Sequence, residues 1–271
     1  NNYTVDVDKL RKLAHEIKPK LITIGGSLNL FPHPVKEIRE IADEVGAKLL
    51  FDAAHQCGLI AGKVWPQPLS EGAHLMTFST YKSLGGPAGG LIITNEEKLA
   101  EKIDAIAYPG LTANYDAAKT AALGITLQDW NIVGEAYAKM MVETSIALAK
   151  ELDKKSLHIY AKEKGFTTSH QFAIVANEIG GGQKASKKLA LSGLLACGIN
   201  VPGPAVEDDT NAIRIGTPEV VRMGMKKDDM PLLADLIFKG LTTDTPDLVQ
   251  AEVIKLRKKF NKVHYTLDQP E

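Results

Sequence analysis

The sequence predicts an α/β protein, a mostly parallel sheet flanked by helices and followed by a smaller C-terminal α/β domain. Three observations lead there. Short apolar, β-branched runs such as KLITIGG, AKLLFDAAH and HLMTFST stop abruptly at glycine or polar residues, which marks buried strands. Segments with apolar residues at helical spacing lie between them. The 271 residues, 44% of them apolar and 24% charged, suffice for one large or two modest domains with a buried core.

Taken in order, DKLRKLAHEIK (residues 8–18) predicts a helix with Asp8 as its N-cap. KLITIGG is the first strand. PVKEIREIADEVG is a helix with Pro34 near its start and Gly46 past its end. AKLLFDAAH and HLMTFST are the second and third strands, and GGLIITN is a fourth, turning over at Asn95. From about residue 115 to 152 the pattern is long and helical. Beyond it, FTTSHQFAIVAN predicts a strand, KASKKLALSGLLACG a helix closed by Gly198, and AIRIGTPEVV a strand running into a loop. DMPLLADLIFKGL and LVQAEVIKLRKKF are two amphipathic helices. The change of texture divides the chain into residues 1–125, a connecting helix over 126–152 and a second domain over 153–271. Strands alternating with helices imply a sheet covered on both faces. Ligands of such sheets sit at the carboxyl ends of the strands. Ser27, Asp52, His55, Ser79 and Lys82 all fall at or just beyond such ends.

Charge narrows the partners. With 32 basic and 33 acidic residues the net charge is −1, which points away from nucleic acid and anionic membranes. No apolar run approaches the roughly 18–20 residues of a membrane span. Cys57 and Cys197 form neither a disulfide nor a metal-ligand pattern, so no metal is expected and a reducing cytoplasm fits. NNYTVDVDKL has no initiator Met and no signal-peptide features. It reads as the middle of a protein.

The chemistry centres on FSTYKSLGGPAGG, residues 78–90. A phosphate-binding P-loop needs glycines before its lysine, whereas here they follow Lys82. A lone lysine at a strand end is ordinarily a solvated one, but Lys82 keeps unusual company. Asp52 ends the apolar run KLLF, and a carboxylate there needs a cationic or hydrogen-bonding partner. Pyridoxal phosphate calls for this pair. A lysine forms its Schiff base, and an Asp keeps the pyridine nitrogen protonated so that the ring acts as an electron sink.

FDAAHQCGLIAGKVWPQPL followed by TFSTYKSLGGPAGGLI closely resembles the serine hydroxymethyltransferase family. AIRIGTPEVVRMGMKKDDM is similar to that family's carboxylate-binding segment, and the order of the blocks agrees along nearly the whole chain. The resemblance implies an aspartate-aminotransferase-like, fold-type I architecture in which residues 1–125 are the C-terminal part of the large cofactor-binding domain. It also implies that the N-terminal part of such an enzyme is absent from this chain. It assigns Lys82 to the cofactor aldehyde, Asp52 to the pyridinium nitrogen, and His55 to the side of the ring near its phenolic oxygen. Ala54 falls on a ring face, Ser27 and Ser79 supply hydroxyls near cofactor and lysine, and Tyr81 lies beside Lys82. Arg214 clamps the α-carboxylate of an amino-acid substrate, a small molecule. A homodimer or homotetramer is implied as well.

The departures fall in telling places. Tyr81 stands where the family has His, and Ala88 where it has Arg. TANYDAAK replaces a glycine-containing stretch that reaches a neighbouring subunit's cofactor phosphate, and LNLFPHP follows Ser27 in place of an A-Y-based sequence. NVPGPAVEDD keeps Val201 and Pro202 of a folate-holding run but loses its asparagine and aspartate. Two readings of the reaction follow. One is a hydroxymethyltransferase that cleaves and forms the Cα–Cβ bond of β-hydroxy-α-amino acids with tetrahydrofolate as co-substrate. The other is a folate-independent aldolase or transaldolase on the same scaffold. A different pyridoxal enzyme and a non-catalytic paralogue remain as further alternatives.

Overall fold

The computed structural model describes residues 3–267. The chain forms two compact units, one ending at Glu135 and one beginning at Ala136.

The first unit opens with α1 (Val7–Ile17), capped by Asp6, whose carboxylate accepts the Lys9 N–H at 3.1 Å. The cap is therefore Asp6 rather than Asp8. The helix starts earlier than the pattern suggests, and Asp8 sits in the first turn, where the helix dipole favours an acid. β1 (Leu21–Gly25), α2 (Val35–Val45), β2 (Lys48–Asp52), the short α3 (Cys57–Ala61), β3 (Leu75–Ser79), β4 (Gly90–Ile93) and α4 (Glu97–Ala105) follow. Pro34 and Gly46, the latter at φ 71°, bracket α2 as expected. The sheet order is β1-β2-β3-β4, parallel but for the antiparallel β4.

Adjacent register rows face opposite sides of this sheet. The row Ile24, Phe51, Met76 is buried, in a core shared with Leu30, Ile38, Ile41, Leu49 and Leu59. Each such side chain contributes roughly 1.5–3 kcal/mol by leaving water. The next row, Gly25, Asp52, Thr77, Ile92, lies on the other face. That face is less covered than the expectation of two covered faces: Leu21 is 48% and Ile92 49% exposed. α4 buries no residue, and Tyr108, Leu111, Tyr115, Ile125 and Ile132 stand open to solvent. The reason is that the helices flanking this sheet, α1 and α2, pack together, and α2 packs on β2.

α5 (Ala117–Lys154) is one 38-residue helix that leads from the first unit into the second. The second unit adds β5 (Gln171–Val175), α6 (Gly182–Leu191), β6 (Cys197–Ile199), β7 (Ala212–Gly216), α7 (Pro218–Arg222), α8 (Met230–Thr242) and α9 (Pro246–Arg257). Its sheet is antiparallel with β7 in the centre, order β5-β7-β6. Phe172, Ile174, Leu148, Leu152, Ile159 and Leu236 form its core. Gly198 does not close α6, which ends at Leu191; it lies within β6. A Cβ there would come within 2.4 Å of the Thr210 hydroxyl and 2.8 Å of the Gln183 nitrogen, so the glycine serves close strand–helix packing. The expected loop after β7 begins instead with the short α7.

Candidate active site

The carboxyl ends of β1, β2 and β3 carry all but one of the residues singled out in the sequence. Asp52 is the last residue of β2 and half-buried; its Oδ1 accepts the Ala54 N–H at 3.0 Å. No donor among the described residues engages its second oxygen. The Asp52 carbonyl accepts the Gly26 N–H at 3.2 Å, and a Cβ on Gly25 would lie 2.3 Å from that carbonyl. Only glycine, here at φ 94°, lets the turn bearing Ser27 approach so closely. Ala53 N–H donates to the Thr77 carbonyl at 2.9 Å, extending the β2–β3 ladder before the chain turns through Ala54 and His55, both half-buried, into α3.

β3 ends at Ser79, and Lys82 sits half-buried in the loop beyond. That loop is closed on itself. The Thr80 hydroxyl donates to the carbonyls of Pro87 (2.5 Å) and Gly89 (3.0 Å), and Gly86 N–H returns to the Thr80 carbonyl at 2.8 Å. Trp130 of α5 donates its indole N–H to the Leu84 carbonyl at 2.8 Å. The Lys82 ammonium makes no hydrogen bond or ion pair among the described residues. Tyr81 beside it is 54% exposed.

Ser83 joins the two turns. Its buried hydroxyl donates to the His55 carbonyl at 2.6 Å and accepts the Gly58 N–H at 2.9 Å. A Cβ on Gly58 would fall 2.5 Å from the Ser83 carbonyl. The loops carrying His55 and Lys82 therefore touch backbone to backbone. Cys57 is part of the same joint, its Sγ 3.3 Å from the Ser83 hydroxyl. Burial pushes its thiol pKa up, which keeps it protonated and inert.

Arg214 belongs to the second unit. It lies half-buried on the central strand β7, paired with Ala173 on one side and Cys197 on the other. The residues after it are anchored: the Thr217 hydroxyl donates to the Met141 carbonyl at 2.7 Å, and the Tyr137 hydroxyl to the Pro218 carbonyl at 2.8 Å. Arg222 lies over the Tyr137 ring, 5.3 Å from its centroid, with Tyr265 stacked on that ring at 4.8 Å.

Residues 1–237 match the family model described as serine hydroxymethyltransferase. The chain belongs to the serine hydroxymethyltransferase family. Within it, the chain is 61% identical over 265 residues to an alpha-methylserine aldolase of Variovorax paradoxus, covering 98% of this chain and 60% of that protein. An alpha-methylserine aldolase of Ralstonia sp is 55% identical over 266 residues, covering 98% and 61%. A serine hydroxymethyltransferase of Archaeoglobus fulgidus is 40% identical over 271 residues, covering 99% and 62%. The chain thus spans about three-fifths of the length of the curated relatives it matches. The crystal structure of an L-threonine transaldolase from Pseudomonas fluorescens in its internal aldimine state superimposes with a TM-score of 0.89 at 25% identity, over 98% of this chain and 61% of that one. The fold-type I architecture is the one observed.

This serine hydroxymethyltransferase family member treats its departing segments as ordered structure. In the loop over 200–211, Asn211 donates through Nδ2 to the carbonyls of Val201 (2.8 Å) and Pro204 (3.0 Å) and accepts the Val201 N–H at 2.8 Å. Asn177 adds a donor to Pro204 at 3.1 Å. The Asp209 carboxylate receives the N–H groups of Gln183 (2.7 Å) and Lys184 (3.1 Å) at the start of α6, which holds its pKa below the usual carboxylate value against the opposing effect of desolvation. Sequence reasoning missed Ser83, Gly58, Thr80 and Trp130. Ser83 and Thr80 carried a signal, small hydroxyls flanking the lysine; Gly58 and Trp130 are recruited from far along the chain.

Proposed function

We propose that this chain carries the aldol-cleaving site of a pyridoxal-phosphate enzyme that acts on β-hydroxy-α-amino acids without folate. Its substrate would be a serine bearing an α-substituent, such as α-methylserine. One observation carries the reading. A half-buried lysine without an ionic partner shares a sheet edge with a strand-end carboxylate that has one oxygen unengaged among the described residues. That arrangement fits a cofactor needing an amine for its aldehyde and an anion for its ring nitrogen. When bound, pyridoxal phosphate supplies an electron sink for the pair released as the Cα–Cβ bond breaks.

In this reading Lys82 Nζ anchors the cofactor aldehyde, and Asp52 holds a proton at the ring nitrogen. Ala54 packs on a ring face, His55 lies near the phenolic oxygen, and Ser27, Ser79 and Tyr81 complete the polar surround. Arg214 receives the substrate α-carboxylate, which its planar fork matches in bidentate fashion. Cleavage of α-methylserine takes the proton from the β-hydroxyl, releases formaldehyde and leaves alanine once a proton is returned to Cα. A quaternary α-carbon offers no Cα–H, so Cα–Cβ cleavage is the productive route.

Independence from folate is supported by the loop over 200–211, whose backbone groups and asparagine side chains are spent on one another. The higher identity to alpha-methylserine aldolases than to serine hydroxymethyltransferases agrees. The working protein would be a cytoplasmic homodimer or homotetramer. It would include polypeptide equivalent to the N-terminal part of its relatives, with residues 126–152 linking the domain over 1–125 to that over 153–271. The test measures formaldehyde release from α-methylserine, serine and threonine by the full-length protein, with and without tetrahydrofolate. Release from α-methylserine that ignores folate, and a visible cofactor band lost in Lys82→Ala, are expected. Serine turnover that requires folate would instead establish hydroxymethyl transfer.

A further inference from the structure

The segment LNLFPHP, residues 28–34, departs from the family pattern, and the chemistry above leaves it without a role. Its polar side chains are nonetheless buried and ordered. Asn29 is 1% exposed, and its Nδ2 donates to the Gly26 carbonyl at 2.8 Å. A carbonyl can only accept, so the orientation of the amide is fixed. Asn29 Oδ1 must then take its proton from His33 Nε2, 3.0 Å away. The imidazole hydrogen therefore sits on Nε2 and leaves Nδ1 bare. That nitrogen is buried and has no hydrogen-bond partner among the described residues. Burial also pushes the His33 pKa down, which keeps the ring neutral.

Two further contacts give the arrangement a direction. The His33 ring stands edge-on to Phe51, the residue before Asp52, with centroids 6.5 Å apart. Gln56, fully buried and next to His55, donates to the Asn29 carbonyl at 3.2 Å. Asn29 thus ties the turn after β1 to the turn after β2, its side-chain amide holding Gly26 and its main-chain carbonyl accepting from Gln56. Ser27 lies inside the first turn, and Asp52 to His55 form the second.

We propose that His33 is a positioning residue that, through Asn29, sets the Gly26–Ser27 turn against the Asp52–His55 turn and so fixes where Ser27 meets the cofactor. This rests on the pyridoxal phosphate reading. A buried neutral hydrogen bond is worth about 1 kcal/mol, which corresponds to roughly a fivefold to tenfold change in an equilibrium constant.

The experiment titrates pyridoxal phosphate into the full-length apoprotein and follows the visible band. It is run on the wild type, His33→Phe, His33→Gln, Asn29→Asp and Ser27→Ala, with the melting temperature of each apoprotein recorded. His33→Phe, which keeps the ring shape but loses the Nε2 donor, should weaken cofactor binding about fivefold to tenfold. His33→Gln restores a donor at that reach and should stay within about twofold of wild type. Asn29→Asp sets an oxygen against the Gly26 carbonyl and should weaken binding as well, which keeps the test alive if His33→Phe fails to fold. In Ser27→Ala, adding His33→Phe should cost little more, because the two act on one contact. Wild-type affinity in His33→Phe, equal losses in the Phe and Gln variants, or full additivity with Ser27→Ala would each overturn the proposal. A wild-type protein that develops no band would overturn the cofactor reading itself, a result distinct from these.

Discussion

The two sheets of this protein are buried in opposite ways. In β5 of the antiparallel sheet, Gln171, Phe172, Ala173 and Ile174 are all buried, so both faces are covered. In β1 of the parallel sheet, burial alternates: Ile22 and Ile24 are covered while Leu21, Thr23 and Gly25 are exposed. General experience runs the other way, since parallel sheets are the kind that bury both faces. The difference shows which face of the first sheet stays accessible to solvent. Its less covered face is the one that carries Asp52 and, on β4, the exposed Ile92.

The contrast can be broken most forcefully by truncating one residue of each sheet. Phe172 is fully buried, and Phe172→Ala should lower stability by about 3–5 kcal/mol in urea unfolding. Leu21→Ala in the isolated chain should cost below about 1 kcal/mol, because its side chain already meets water. Equal losses for the two variants in the isolated chain would erase the distinction.

Next in size is the joint between the turns. Ser83→Ala leaves the Gly58 N–H and the His55 carbonyl without their shared hydroxyl in a buried setting. We expect about 1–3 kcal/mol lost in thermal or urea melts and a weaker cofactor band. A variant as stable as wild type would show that the turns are held by packing alone.

The smallest effect concerns pH. His74 is buried between β2 and β3, where its Nδ1 accepts the Leu49 N–H at 2.9 Å. Burial first, then the nearby Arg39 and Lys48 charges, pulls its pKa down. The unfolded chain, with a histidine pKa near about 6.5, therefore binds the proton more readily than the folded one. The contribution of His74 is complete above that value and is lost as pH falls toward the lower folded pKa. Melting temperatures followed from about pH 7 down to about pH 5 should decline, and His74→Gln should flatten the slope.

Much of this was legible in the residues. The strands β1, β2 and β3 announce themselves because their apolar runs end in glycine, aspartate or serine, and those ends carry the proposed site. Pro34 and Gly46 mark α2 because they act locally. Gly198 has the look of a stop for α6, whereas its reason lies in the distant Thr210. Gln56 and Ser83 left little trace for the same cause. Their bonds span 27, 25 and 28 positions, and such distances are set by topology rather than by any local pattern.

Gly58 carries a last consequence. The distance between the strand-end acid and the lysine is gauged by an atom that is not there, since a Cβ at this position would overlap the backbone of Ser83. A methyl group placed there would act as a shim, leaving every reactive group present while displacing the lysine loop from the acid loop. Gly58→Ala should therefore move the visible band or slow cleavage without removing either. The geometry of this site is in part a property of an empty space about one carbon wide.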